Sequence, residues 1–572
     1  MICFMPACTI KDFRTIMMIA GVSIRTLSRL FFVIPEEPGT DRKNLLVELG
    51  LTLPDIPIFT FSYEKKMRDG DISSLTWGQA TEGVSRKIVP TIKEVNDDVN
   101  IIRVGAKYKH DIANIEVEQR WEFTDLETVR TEKNFTNGLP NTNDARVVDE
   151  KDTFYESSQT TVKIDKRINK KLSLSGGYRY TKVDNDSEQR VQTFTPAGAV
   201  SLSGGNRNWF DPNSDSDVIS HLWNLNLLAK PLKDLTVQGF FRLKNIHRDS
   251  VSTWSDNRTT GVQEHDITAR TNNTTFGEAI RITYKRIPRI APYFEAGWQQ
   301  GDIEIKEKES LSGFFQRDTD RDYDKQTYTM GLSFYPFKRV SGSIQYRKEL
   351  KKNEYDDELD TESATGIVPG GFPAFIDKQY IDTDVYTTRL TAHPISSVST
   401  TFRYEYRAQE IDSKMEGLGR ELAHVDIQTF SGSVTITPFS NLFITSMVMH
   451  QNLRVKTRAR NDQAAPTRPF EGDSTTFVNT AIFALNEKTE FSADYQASLT
   501  DNYDENNIND LGLPLEHDYT MQALTLGAKY KIRKNMTLWS RYSLYDYDES
   551  HIADIDDYTE HLFAIGGEIR FR

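Results

Sequence analysis

The chain has 572 residues, a formal net charge of −13 and 11% aromatic residues. The acidic balance disfavours nucleic acid as a main partner, and no run approaches the roughly 20 apolar residues that a transmembrane helix needs. Low hydropathy does not exclude a membrane β-barrel, because only every second residue of its strands meets lipid.

Residues 1–43 form an N-terminal segment with no clear structural pattern. The apolar run 15–24 resembles the central part of a secretory signal peptide. Arg25 and Arg29 follow it, however, and no clean small-residue cleavage site is present. We interpret this segment as either a poor signal peptide or a truncated or misassigned start.

From residue 44 to residue 572 the sequence alternates with a period of two, in stretches of about 10–15 residues, which predicts strands. In the stretch 398–409, aromatic residues at Phe402 and Tyr404 alternate with charged residues at Arg403 and Glu405. Similar stretches recur roughly twenty times along the chain by the same criteria.

The predicted connections alternate between short and long. Several tight turns contain a proline, which has no N–H and suits a strand end; these are Pro231, Pro336, Pro394 and Pro438. The long polar links are 123–155, 185–217, 248–272, 354–382, 457–473 and 502–516. Alternate connections of an up-and-down sheet lie at opposite ends, so one end has tight turns and the other has loops.

This pattern predicts an all-β fold, a transmembrane antiparallel up-and-down β-barrel in the bacterial outer membrane. Short turns would be periplasmic and long loops extracellular, with about 20–22 strands or more in residues 44–572. The stretch 45–53 looks like a strand whose upstream partner lies outside this region, which leaves an odd count. A soluble all-β protein with many hairpins, or a β-solenoid, is the alternative.

The polar face of the predicted strands carries charged residues in mid-strand. In a wide barrel such residues line the lumen, where they face solvent or a partner. The residues that we expect to face the lumen are Arg179, Arg242, Lys244, Arg347, Glu349, Arg403, Glu405, Arg407, Lys529, Glu568 and Arg570.

No motif for catalysis or for a resident cofactor is present. The only cysteines are Cys3 and Cys8, which provide neither a zinc site nor a CxxCH motif for covalent haem. The acidic run at 317–324 lacks calcium-loop spacing, so we interpret it as a solvated loop and predict no metal site. His424 beside Asp426 has no accompanying nucleophile motif, and we predict that the protein is not an enzyme.

Stretches such as STTFRYEYRAQE and SLSGGYRYTKVDN, together with the large size and acidic loops, resemble the decaheme-associated outer-membrane barrels of the MtrB/PioB family. The CxxC motif often found near the N-terminus of that family is not matched. The resemblance implies a sheath that holds a periplasmic multihaem cytochrome and lets electrons cross the membrane.

Three functions therefore stay open at this point. The first is a porin-like barrel that forms a wide polar passage, with outer-membrane lipid and lipopolysaccharide as its surroundings. The second is the cytochrome sheath that the resemblance implies. The third is a TonB-dependent-type receptor that lacks its plug in this chain. That class has 22 strands and an N-terminal plug of well over a hundred residues, whereas the predicted strands begin near residue 44.

Overall fold

The structure is a computed structural model in which most of the chain is β-strand. It describes residues 8–15, 18–19, 22–32, 40–52, 56–78, 87–110, 113–133, 135–136, 139–140, 146–195, 197–201, 208–258, 261–309, 315–360, 376–415, 419–456, 470–502, 518–533, 536–549 and 558–569. Within these residues there is no helix long and apolar enough to span a membrane.

The strands follow one another along the whole chain. They are β1 (Cys8–Thr15), β2 (Met18–Ile19), β3 (Val22–Phe32), β4 (Thr40–Leu51), β5 (Ile58–Gly78), β6 (Lys87–Lys109), β7 (Asn114–Lys133), β8 (Phe135–Thr136), β9 (Leu139–Pro140), β10 (Arg146–Asn169), β11 (Leu172–Phe194), β12 (Trp209–Leu232), β13 (Leu235–Arg258), β14 (Gly261–Tyr284), β15 (Ile290–Glu309), β16 (Phe315–Phe337), β17 (Val340–Asp360), β18 (Ile376–Ala392), β19 (Val398–Met415), β20 (Gly419–Phe439), β21 (Leu442–Lys456), β22 (Phe470–Ala484), β23 (Thr489–Asn502), β24 (Tyr519–Arg533), β25 (Met536–Glu549) and β26 (Tyr558–Ile569).

Twenty-one of these strands, β4–β7 and β10–β26, form one antiparallel up-and-down series in which each strand pairs with its neighbours. Strand β3 lies between the two ends of the series, pairing antiparallel with both β26 and β4. The sheet is thereby closed into a barrel of 22 strands in the described residues. The predicted fold class, an outer-membrane β-barrel, is confirmed.

Strands β1–β3 lie within the predicted N-terminal segment 1–43, and β4 begins at Thr40. Strand β1 pairs with both β3 and β4. The division of the chain at residue 43 stays a prediction. The short strands β8 and β9 form a separate hairpin in the connection between β7 and β10.

The strands are longer than the sequence predicted. β13 and β14 have 24 residues each, and Arg258 pairs with Gly261 where 248–272 was expected to be a long loop. A tilted strand needs only about 9–11 residues to cross a membrane. The additional residues are mostly polar on both faces, so they carry no clear period-two alternation and the sequence predicts loops there.

The barrel wall is taller on one side than on the other. Strands β5–β7 and β10–β17 have 20–24 residues, whereas β21–β26 have 12–15. The proline turns all lie at one end of the strands, so the difference in length falls at the other end, where most connections are longer. The wall is a single sheet, and few side chains are fully buried within the described residues.

Candidate functional site: the polar face of the barrel wall

The two faces of the wall differ in chemistry. On β12, Trp223, Leu225 and Leu227 are 49%, 45% and 40% exposed although they are large and apolar. The strand register places them beside Leu243 and Phe241 of β13 on the same face. Exposed apolar side chains of this kind face lipid in membrane β-barrels. We call this side of the wall the apolar face and the other side the polar face.

A row of tyrosines marks the upper limit of the apolar band. Tyr346, Tyr386 and Tyr406 lie side by side on β17, β18 and β19, with ring centroids 5.0 Å and 6.4 Å apart. One register step higher, the same face carries an ion pair between Lys348 and Asp384, 2.9 Å apart. Aromatic residues between an apolar band and a charged surface form the girdle typical of these barrels.

Five of the residues predicted to line the lumen lie together on the polar face of β17 and β19. Arg347 and Arg407 both pair with the intervening residue of β18 in one row of the sheet. Glu349 is 3.1 Å from the Nε of Arg347, and Glu405 is 2.6 Å from a terminal nitrogen of Arg403. The alternation in the sequence thus brings these charges to one region of the wall.

A second group of predicted residues lies further round the barrel. Arg179 of β11, Leu222 of β12 and Lys244 of β13 occupy one row, and Arg242 follows on the same face of β13. Arg179, Lys244 and Arg242 make no hydrogen bond or ion pair within the described part of the chain.

The remaining predicted residues lie near the C-terminus. Lys529 is on β24, on the face opposite to the exposed side chains of Leu526 and Tyr530. Glu568 lies in β26, but its side chain is outside the described residues, as is the whole of Arg570.

Four further cations were not singled out from the sequence, namely Arg321 and Lys325 on β16, Lys351 on β17 and Arg389 on β18. The register places them on the same polar face as Arg347. Period-two alternation could have found them, because Lys351 lies four residues after Arg347 on one strand. We name the polar face of β16–β19, from the row of Arg321 down to the row of Ser333, the basic stripe.

The proline turns lie together at the end with tight connections. Pro231, Pro336 and Pro438 are the penultimate residues of β12, β16 and β20, and Pro394 lies in the turn between β18 and β19. Arginines of neighbouring turns bind two of them: Arg289 donates to the carbonyl of Pro336 at 3.1 Å, and Arg339 donates to the carbonyl of Pro394 at 2.9 Å. That this end is periplasmic stays a prediction.

One acidic group has the geometry of metal ligands. Oxygens of Glu304, Asp318 and Asp320 lie within 4.8 Å of one another. The ammonium of Lys306, however, lies 2.7 Å from Glu304 and 3.3 Å from Asp318, and it neutralises the group without an ion. Asp318 and Asp320 belong to β16 and not to a solvated loop, which corrects that part of the sequence interpretation.

No protein-family model and no curated protein matches the sequence. Solved structures do match the fold. The ferric yersiniabactin uptake receptor FyuA from Yersinia pestis has a TM-score of 0.55 at 10% identity, covering 92% of this chain and 78% of that protein. The ferric-catecholate import receptor Fiu from E. coli K12 has 0.57 at 8% identity, covering 96% and 81%. The FrpB iron transporter from Neisseria meningitidis, F3-3 variant, has 0.58 at 9% identity, covering 96% and 82%.

At such low identity these matches establish the fold alone, and the chain folds as an outer-membrane β-barrel of the kind found in transport proteins. The resemblance to the MtrB/PioB family is wrong, because the matching structures are uptake receptors and transporters. The implied multihaem cytochrome partner loses its support with it. The sequence features that carried the resemblance, long alternating strands and acidic loops, are shared by large outer-membrane barrels in general.

Proposed function

We propose that this chain forms the barrel of a TonB-dependent-type uptake receptor, in which the polar face lines a passage for a hydrophilic solute across the outer membrane. The observation that carries the proposal is the closure of the sheet with 22 strands, since barrels of this number enclose a lumen wide enough for bulky contents. The matches over most of the length of FyuA, Fiu and FrpB support it.

The polar face has the composition of a lumen wall. Its charged side chains stand in mid-strand: Arg403 lies three residues below the row of tyrosines on the opposite face, and Arg347 lies one residue above that row. Charged groups at this depth are costly in lipid and are stable only where they meet water, protein or one another. The lumen-facing role of the predicted residues is part of this proposal.

Cysteine labelling tests which face meets water. Neighbouring residues of β19, Phe402 and Arg403, point to opposite faces, so we would compare Phe402→Cys with Arg403→Cys after replacing Cys3 and Cys8 with Ser. A membrane-impermeant maleimide should label the cysteine at position 403 and not the one at position 402 in lipid vesicles. Labelling at position 402 alone would overturn the assignment of the faces.

Permeability tests the passage itself. Vesicles that contain the purified full chain should release hydrophilic oligosaccharides too large for barrels of 16–18 strands. Vesicles that release no hydrophilic solute of any size would refute a passage through this chain. A general porin, one of the two kinds of porin that the sequence also allowed, differs from a receptor in having no saturable solute site.

A further inference from the structure

We infer that the basic stripe is a binding site for an anionic solute, recognised through carboxylate or phosphate groups. This inference rests on the proposed function, because it requires the polar face to line the passage. The stripe contains seven cations and only two carboxylates, an excess of five positive charges; the cations are Arg321, Lys325, Arg347, Lys351, Arg389, Arg403 and Arg407, and the carboxylates are Glu349 and Glu405.

Like charges stand directly opposite each other in the stripe. Lys325 of β16 pairs with Lys351 of β17, and Arg389 of β18 pairs with Arg403 of β19. Opposing side chains on one face of an antiparallel pair are about 4.5–5.5 Å apart at Cβ, and like charges there are destabilising. Two such pairs lie within four adjacent strands, and a bound anion would reduce the repulsion between their like charges.

Several of these cations have no partner of their own. Among the residues that the structure describes, Lys351, Arg389 and Arg407 make no hydrogen bond or ion pair. Cations without a carboxylate partner favour a ligand that supplies negatively charged oxygen atoms.

The opposite part of the wall provides a contrast. On the polar face of β5 and β6, Glu64 lies 3.0 Å from Lys66 and 3.0 Å from Arg103, while Asp97 lies 2.6 Å from Arg68. On β6, β7 and β10, Glu116 is held between Lys107 at 3.1 Å and Lys163 at 3.0 Å. Cations of this paired wall thus have carboxylate partners, whereas Lys351, Arg389 and Arg407 of the stripe have none among the residues that the structure describes.

The stripe also has the geometry for planar anions. The guanidinium of Arg321 lies 5.4 Å from the ring centroid of Tyr355 and donates to Asn353 at 3.0 Å, which holds it in place at the upper end. Arginine presents a rigid fork of donors that matches carboxylate and phosphate oxygens in pairs. Five arginines and two lysines in adjacent strands therefore suit a ligand with several anionic groups.

The test is calorimetric binding to the purified full chain in detergent, with citrate and inorganic pyrophosphate as probes and putrescine as a cationic control. The stripe variant is Lys351→Gln with Arg407→Gln. The matched control is Lys66→Gln with Lys163→Gln, which removes the same charge from the paired wall while Arg103 and Lys107 still neutralise the carboxylates.

Wild-type protein should bind at least one anionic probe, and more weakly at higher salt. The stripe variant should bind about a hundredfold more weakly, because each lost charge-assisted contact corresponds to about tenfold. The control should stay within about threefold, since surface-type ion pairs contribute little. Tighter binding of citrate would indicate a carboxylate ligand, and tighter binding of pyrophosphate a phosphate ligand.

Glu349→Gln provides a gain-of-function variant that misfolding cannot imitate. Removal of the Glu349 carboxylate frees Arg347 and Lys325, which lie 3.1 Å and 3.2 Å from it. The variant should therefore bind anions severalfold more tightly. Absence of anion binding by the wild type, or equal losses in the stripe and control variants, would overturn the inference. Passage of oligosaccharides without anion binding would refute this inference alone, whereas anion binding without passage would refute the proposed function.

Discussion

Gly301→Ala should destabilise the barrel although it adds only one methyl group. Gly301 of β15 faces Tyr323 of β16 on the polar face. A Cβ at Gly301 would overlap the Tyr323 ring, lying 2.6 Å from its Cζ atom. The ring would have to move, and its hydroxyl would lose the bond that it accepts from Gln299 at 2.9 Å and the one that it donates to Thr275 at 3.1 Å.

The expected loss is about 2–6 kcal/mol. Each of the two hydrogen bonds contributes about 0.5–1.5 kcal/mol, and overpacking a fitted site costs about 1–3 kcal/mol. Gly277→Ala is the matched control on the same face, because its added Cβ would lie 3.7 Å from the nearest atom, an ordinary contact. Replacing a compatible glycine by alanine should be neutral or stabilise by up to about 1 kcal/mol.

The measurement is the free energy of unfolding in detergent, followed by tryptophan fluorescence in a denaturant titration. A double-mutant cycle with Tyr323→Ala isolates the contact, since Gly301→Ala should cost almost nothing once the ring is absent. Two results would contradict this reasoning: equal stability of Gly301→Ala and Gly277→Ala, or a cost of Gly301→Ala that persists without the Tyr323 ring. Either result would show that the contact with the ring does not explain the glycine at position 301.

Four further substitutions test individual contacts through the same free energy of unfolding. Lys348→Met should cost about 1–3 kcal/mol, because it leaves Asp382 and Asp384 without their cation. The control Lys352→Met should cost under about 1 kcal/mol, because Glu354 keeps its ion pair with Lys378. Equal costs for the two variants would contradict this expected difference. Arg339→Ala should cost about 0.5–1.5 kcal/mol through the lost bond to the Pro394 carbonyl, and an unchanged stability would show that this bond does not brace the turns. Lys306→Met should make stability depend on Ca²⁺, because three carboxylates lose the ammonium between them; a variant indifferent to Ca²⁺ would show that their geometry does not suit an ion.

The alternation of the sequence predicted the two faces of the wall because side-chain direction in a strand depends only on position. Arg403, Glu405 and Arg407 share a face wherever β19 lies, and knowledge of the neighbouring strands was unnecessary. The same reasoning failed above the membrane. At 248–258 both faces of β13 are mostly polar, and the apolar residues Val251 and Trp254 lie on opposite faces, so the pattern does not distinguish a strand from a loop.

The pairing of charges could not be predicted in this way. Lys351 has no partner because the register sets it opposite Lys325 on one side and Ile381 on the other. A shift of two residues would keep every side chain on its face and place Lys351 beside other groups. Registers across several strands arise from the turns and from the closure of the whole sheet, and a local pattern does not contain them.

The net charge of the chain is consequently a poor guide to what the lumen attracts. The value of −13 is summed over both faces and all loops, whereas a solute in the passage meets the charges within a Debye length, about 8 Å at physiological ionic strength. Adjacent strands are about 4.8 Å apart, so the cations of β16–β19 act together on one solute. Carboxylates such as Glu304 and Asp318 lie on the opposite side of the wall from the stripe. A concave surface of one sign concentrates counter-ions, and an acidic protein can therefore present a basic site to an anion inside its barrel.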